Sequence, residues 1–293
     1  MTRILDGKAT SLTIEEELSK VVQDRLNRGL KRPHLAAVLV GDNPASQAYV
    51  GHKVKACSRV GFESTLVDKP TSISQSELLR VVEELNKNSS IDGFIVQLPL
   101  PDHINDQEVL EAILPTKDVD GFHPVNAGKM ALDLPCFLPA TPMGIMSLIE
   151  RAGIDTEGKH AVILGRSSIV GTPMALLLRR NNKPGNCTVT VCHSRTENLV
   201  EHTSRADILV AAIGRAHFVT ADMVKDGAVV IDVGINRIPD ASKKSGGRLT
   251  GDVDFESVAP KCSWITPVPG GVGPMTIASL MQNTLQACIK KDA

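Results

Sequence analysis

The chain has 293 residues, 42% of them hydrophobic, enough to bury a core and long enough for two domains. Thirty-two basic residues against 33 acidic ones leave a formal charge of −1, which excludes a protein drawn by bulk charge to nucleic acid or to an anionic membrane. The six cysteines form no CxxC pair and no zinc-site spacing, no run of about 18 apolar residues is present, and no apolar leader follows Met1, so a cytoplasmic protein with free thiols and no metal is expected.

In chain order, Leu35–Val40 reads as a buried strand ending at Gly41, followed by a helix from Ser46 to Val60. Glu63–Val67 is a second strand. Ser74–Lys87 is an amphipathic helix on Leu78, Val81, Val82 and Leu85, with Ser74 and Glu77 spaced as a capping box. Gly93–Gln97 is a third strand, stopped by Leu98-Pro99-Leu100-Pro101. Pro135–Pro142 reads as a proline loop, then Met143–Ala152 as a helix closed by Gly153. A second series follows: strand His160–Leu164, helix Val170–Arg180, and strands Thr188–Val191, Ile208–Ile213 and Val229–Val233. Pro239–Gly247 is polar and glycine-rich, a hairpin tip or surface loop in which Lys243-Lys244 reads as a solvated turn, and Pro274–Ile289 is a final helix. Strand–helix alternation of this kind predicts an α/β protein with parallel sheets. Two lobes with a cleft between them are expected: residues 1–140, with helix 274–293 packing back on them, and a Rossmann-like unit over 141–273.

The strand ending at Leu164 runs into Gly165-Arg-Ser-Ser-Ile-Val-Gly171 and then a helix. A glycine turn between a parallel strand and a helix presents backbone N–H groups to a phosphate, although the spacing is not GxGxxG. NAD binders usually carry an acid at the end of the second strand; here Val191-Cys-His-Ser194-Arg195-Thr196 has none. Arg166, Ser194 and Arg195 are instead donors suited to a 2′-phosphate, which favours NADP. An unliganded tight turn is the alternative.

Tyr49, the sole tyrosine, and Lys53 lie four apart and share a helix face. Tyr-x-x-x-Lys is also the pair of short-chain dehydrogenases, but there it follows the nucleotide turn, whereas here it precedes it by more than 100 residues. Gln97 closes an apolar strand at its carboxyl end, where α/β sheets bind ligands, and is placed to orient a lysine amine. Lys117-Asp118-Val-Asp120-Gly121 offers two carboxylates, one of which can accept hydrogen bonds from an amino-bearing heterocycle; solvated acids at a helix end are the plainer reading. Thr266–Thr276, with three glycines and three prolines in the nine residues Pro267–Met275, reads as a rigid loop lining a cleft. Leu98-Pro99 and Val268-Pro269 are candidates for cis peptide bonds.

Taken together, Tyr49-Val-Gly-His-Lys53, Val96-Gln-Leu-Pro-Leu-Pro101, Lys117–Phe122, Thr141-Pro142, Gly165–Pro173, Asp232-Val-Gly-Ile-Asn236, Gly251-Asp-Val-Asp254 and Pro267–Thr276 resemble the bifunctional methylenetetrahydrofolate dehydrogenase/methenyltetrahydrofolate cyclohydrolase family of the bacterial FolD type. The resemblance runs over nearly the whole chain. It implies NADP-dependent oxidation of 5,10-methylenetetrahydrofolate, hydrolysis of the methenyl product to 10-formyltetrahydrofolate, and a homodimer. It implies catalytic roles for Lys53, Gln97, Tyr49 and Asp120. It implies cofactor contacts from Gly165, Arg166, Ser167, Ser194, Arg195 and Ile235, and folate contacts from Tyr49, Gln97, Leu98, Pro99, Asp120, Gly271 and Pro274. A monofunctional relative or a silent folate- or NADP-binding regulator would be expected to have lost Lys53, Gln97, Asp120 or the nucleotide turn, and all are present.

Overall fold

The computed structural model describes residues 2–242 and 246–292. Its elements, in chain order, are β1 (Arg3–Ile4), α1 (Gly7–Asn27), β2 (His34–Val40), α2 (Pro44–Val60), β3 (Glu63–Lys69), α3 (Gln75–Lys87), β4 (Gly93–Val96), α4 (Asp106–Ala112), α5 (Pro124–Ala131), α6 (Ala140–Arg151), β5 (His160–Leu164), α7 (Gly171–Arg179), β6 (Thr188–Cys192), α8 (Leu199–Thr203), β7 (Ile208–Ala211), β8 (Val229–Asp232), β9 (Asn236–Pro239), β10 (Gly247–Thr250), α9 (Phe255–Val258), β11 (Trp264–Ile265) and α10 (Val272–Asp292). The chain divides into two compact units, one of Leu12–Ala140 with Ile277–Ala293, the other of Met1–Ser11 with Thr141–Thr276. The mixed α/β class with parallel sheets is as expected. No helix among the described residues is long and apolar enough to cross a membrane.

The first unit is built on a parallel sheet in the order β3-β2-β4. The central strand β2 is buried along Leu35–Val40, while edge strand β3 alternates between exposed and half-buried residues. Ala36, Val38, Phe94 and Val96 pack with Leu78 and Val82 of α3. Phe94 and Leu78 are fully buried, each stabilising the unit by about 1.5–3 kcal/mol. Helix α3 starts as predicted: the Ser74 hydroxyl accepts from the Glu77 amide, and the Glu77 carboxylate accepts from the Ser74 amide. Helix α2 begins two residues earlier than expected, because Asn43 accepts from the amides of Ala45 and Ser46 and Pro44 suits the first turn. Helix α1 was not expected at all. Its buried Ile14, Leu18 and Val22, spaced by four, are the signal that would have found it.

In the second unit the sheet order is β1-β11-β8-β7-β5-β6, with every pairing parallel. The order reverses between β6-β5 and β7-β8, so the switch point lies at the carboxyl ends of β5 and β7. The sequence reading ran residues 1–11 with the first lobe. In the structure β1 pairs Arg3 with Trp264 and Ile4 with Ile265, closing the edge of this second sheet. Strand β7 ends at Ala211, short of the predicted Ile213, because the amides from Ile213 onward turn to a side chain described below. β9 and β10 form an antiparallel hairpin, the first of the two readings for this segment; Lys243-Lys244 lie outside the described residues.

Candidate functional site

In the first unit, β2 delivers the chain to α2, and α2 carries Tyr49 and Lys53 one turn apart. β4 ends beside it, and Gln97 donates its backbone amide to Val38 at 2.9 Å, so the side chain starts from a fixed strand end. The Lys53 Nζ donates to Gln97 Oε1 at 3.1 Å, while Gln97 Nε2 donates to the Leu98 carbonyl at 2.7 Å. A carbonyl accepts only, so the second bond fixes which end of the amide faces the lysine. Leu98-Pro99 is cis, as are Val268-Pro269 and Lys183-Pro184.

The two acids of the Lys117–Phe122 motif divide sharply. Phe94 donates its amide to the Lys117 carbonyl, and Asp118 bridges in parallel to Phe94, so this segment extends the sheet beyond β4. The Asp118 carboxylate accepts from the amides of Gly121, Phe122 and His123 and from Asn126 Nδ2, at 2.8–3.1 Å. It is consumed in fixing the entry to α5. Lys117 is structural too: its ammonium donates to the carbonyls of Leu85 and Asn88 at the end of α3, and burial pushes its pKa down to about 8. No hydrogen bond reaches the Asp120 carboxylate among the described residues, and its charge acts on Lys53 instead. Replacing Asp118 by alanine strands four donors and is expected to cost about 3 kcal/mol or more in urea unfolding; a loss under about 1 kcal/mol would show that the carboxylate does not hold this turn.

Lys53 is 8% exposed. Burial lowers its pKa, and the opposing effect of Asp120 does not cancel that. Burial raises the pKa of Asp120, with Asp118 adding to the rise and Lys53 opposing it. Both shifts favour the uncharged forms, and the uncharged amine is the form that takes a proton. Tyr49, 37% exposed, keeps an accessible ring one turn from that amine. Leu98 is half-buried and Pro99 exposed beside Gln97.

Gly271 and Pro274 belong to the second unit. There the Thr266–Gly271 loop before α10 packs on the start of α1: Lys8 donates its amide to the Gly270 carbonyl, and a Cβ on Gly7 would sit 1.8 Å from the Gly271 carbonyl oxygen. Gly271 is buried and Pro274 half-buried, with Ile235 within 3.8 Å of where a Cβ on Gly273 would project.

The switch point of the second sheet opens into a cavity of about 350 Å³, large enough for part of a dinucleotide. Its wall comes from the ends of three strands: Gly165, Arg166 and Ser167 after β5, His193 and Ser194 after β6, Ala212 and Ile213 after β7. Gly165 has φ +111°, and a Cβ there would lie 2.2 Å from the Ala212 carbonyl oxygen. A Cβ on Gly171 would lie 2.3 Å from the Gly165 carbonyl oxygen, so helix and turn meet backbone to backbone. The Ser167 hydroxyl accepts from the amides of Val170 and Gly171 at the entry to α7. This bare-backbone cradle, with two arginines and no acid on its wall, fits a phosphorylated dinucleotide. Arg195, named with Ser194 in the sequence reading, does not line the cavity, nor does Ile235; Arg215 and Phe218, which the reading missed, do.

Family models match both segments: the catalytic domain of tetrahydrofolate dehydrogenase/cyclohydrolase over residues 5–120 and its NAD(P)-binding domain over residues 139–292. The chain belongs to the tetrahydrofolate dehydrogenase/cyclohydrolase family. It is similar to the bifunctional protein FolD of Cytophaga hutchinsonii, with 63% identity over 99% of this chain and 100% of that one. Among solved structures it is similar to the bifunctional FolD methylenetetrahydrofolate dehydrogenase/cyclohydrolase of Campylobacter jejuni (49% identity, TM-score 0.93, 99% of this chain and 100% of that one). The FolD enzyme of Trypanosoma brucei, complexed with NADP cofactor and inhibitor, superposes with TM-score 0.94 at 37% identity over 99% of this chain and 98% of that one. For a tetrahydrofolate dehydrogenase/cyclohydrolase, the separation of roles between Asp118 and Asp120 is the most informative local result. Only the fold-back of residues 121–123 decides which acid stays open, and no spacing rule in the motif encodes that.

Proposed function

We propose that this chain oxidises 5,10-methylenetetrahydrofolate with NADP to 5,10-methenyltetrahydrofolate and hydrolyses that cation to 10-formyltetrahydrofolate, a one-carbon donor for purine biosynthesis. The observation that carries the reading is the bond from buried Lys53 to half-buried Gln97, with Asp120 acting on the same amine. NADP, when bound, supplies the hydride acceptor. Gly165, Arg166, Ser167 and Ser194, all on the cavity wall, hold it. Tyr49 lies against the folate ring system, Asp120 accepts from the pterin amino group, and Leu98 and Pro99 add substrate contacts from the same unit.

In the hydrolytic step water adds to the methenyl carbon, the Lys53 amine takes the proton that the water loses, and the iminium electron pair returns to nitrogen. The resulting carbinolamine then forms its C=O as the C–N5 bond breaks and N5 takes up a proton, leaving the formyl group on N10 and one proton released overall. Gln97 keeps that amine aimed. The cationic substrate further disfavours protonated Lys53, which acts in the same direction as its burial. The reading extends to a cytoplasmic homodimer. Its supports are six free cysteines and the edge strand β3, which among the described residues pairs only with β2 and exposes Leu66.

Mixing the purified protein with methylenetetrahydrofolate and NADP tests the assignment. Reduced cofactor and methenyl absorbance are expected to appear together, followed by loss of the methenyl signal. No signal with either NADP or NAD would refute the dehydrogenase.

A further inference from the structure

We propose that Arg215 grips the ribose 2′-phosphate of NADP together with Arg166 and Ser194, and so sets the preference for NADP over NAD; this rests on the dinucleotide reading above. Arg215 lines the same cavity as Arg166 and Ser194. The cavity wall carries these two arginines and His193, and no carboxylate. No acid forms an ion pair with Arg166 or Arg215 among the described residues, so an anion entering the cavity meets guanidinium groups that are not already neutralised.

The position of Arg215 is built from both ends. Its backbone amide donates to Asp252 Oδ1 at 2.8 Å, and the amides of Ile213 and Gly214 donate to Asp252 Oδ2 at 2.7 and 2.9 Å. Three consecutive amides on one buried carboxylate end β7 and pin the loop that forms the cavity rim. Asp252 is itself held, because Asp232 accepts from the Asp252 and Val253 amides at 2.9 Å each. Gly234 and Gly251 permit that contact: a Cβ on either would lie within 2.3 Å of the facing carboxylate oxygen. The motifs Asp232–Asn236 and Gly251–Asp254 are thus two halves of one clamp under Arg215.

At the other end, the Arg215 guanidinium lies over the Phe218 ring, 4.5 Å from its centroid, and Phe218 also lines the cavity. Stacking occupies a face of the guanidinium and leaves its in-plane N–H groups free, which is the geometry a phosphate needs. Clamped backbone and stacked head together reduce the side-chain freedom lost on binding. If Arg215 served only as a flat wall for the adenine, it would support NAD and NADP alike.

Calorimetric titration of the full chain with 2′,5′-ADP and with 5′-AMP separates these cases, since the two ligands differ only by the 2′-phosphate. Wild type is expected to bind 2′,5′-ADP the more tightly. Arg215→Gln is expected to weaken 2′,5′-ADP binding at least about tenfold while changing 5′-AMP binding less than about threefold, with Arg215→Lys in between. Unchanged melting temperature in both variants shows that the fold is retained. Equal losses for both ligands, or no loss for either, would overturn the proposal. A wild type that does not distinguish the two ligands would remove the NADP reading itself, and the proposal with it.

Discussion

Replacing Lys53 by methionine is expected to lower methenyltetrahydrofolate hydrolysis by about 10²–10⁴-fold, the usual contribution of a positioned general base. Methionine has a similar length and no basic nitrogen. Because Lys53 is buried and its amine is desolvated, an apolar chain at this position removes a burial penalty. The variant should therefore melt at the wild-type temperature or higher, so that lost activity cannot be ascribed to unfolding. With NADP and methylenetetrahydrofolate the methenyl species should accumulate. Full hydrolysis by Lys53→Met would refute the assigned role. The pH dependence gives a second check. Lys53 acts when unprotonated and its pKa is lowered, so hydrolysis should fall as pH drops through that lowered value. Gln97→Glu places a carboxylate where an amide oxygen now sits 3.1 Å from Nζ. That favours the ammonium, so the limb should move to higher pH. Movement to lower pH would contradict the electrostatic account.

Much of this was legible in the sequence, and what was not has physical causes. The helix α3 start could be read because its cap is local: Ser74 and Glu77 bond each other's backbone within four residues. The turn at Gly165 could be read because a glycine between an apolar strand and a helix has few other uses. Lys53 and Gln97 were individually visible, and their contact across 44 positions follows from β2 and β4 being neighbours. The end of β7 was misplaced because Ile213 looks like strand. What stops the ladder is Asp252, 39 residues away, capturing its amide. The same distance hid Arg215. Adjacent to Ser194, Arg195 looked like the phosphate ligand, but neighbours in sequence need not share a wall, and the clamp that presents Arg215 is assembled from three separate segments. Helix α1 was missed for a different reason: its buried stripe is narrow and broken by charged residues, so its apolar positions stand out only when counted at intervals of four.

Gly165→Ala is expected to destabilise the protein by more than about 3 kcal/mol and to weaken dinucleotide binding at least about tenfold, for two reasons that act together. At φ +111° an L side chain is strained whatever the space around it. Here there is also no space: the new Cβ would lie 2.2 Å from the Ala212 carbonyl oxygen and 3.1 Å from its carbon. The carbonyl cannot simply swing away. Ala212 donates its amide to Leu164 at 2.9 Å, and Gly165 donates its own to Cys192 at 2.9 Å, so the turn is tied to the strands on either side. Relieving the clash requires parting β5 from β7 at the switch point, where the cavity opens. Gly227→Ala is the matched control. Gly227 also has positive φ, +81°, but a Cβ there meets nothing within 4 Å. It should cost about 1–2 kcal/mol, the conformational part alone. Urea unfolding of the two variants separates strain from collision. If both lost the same stability, the close approach of the Gly165 backbone to Ala212 would not be what this position requires.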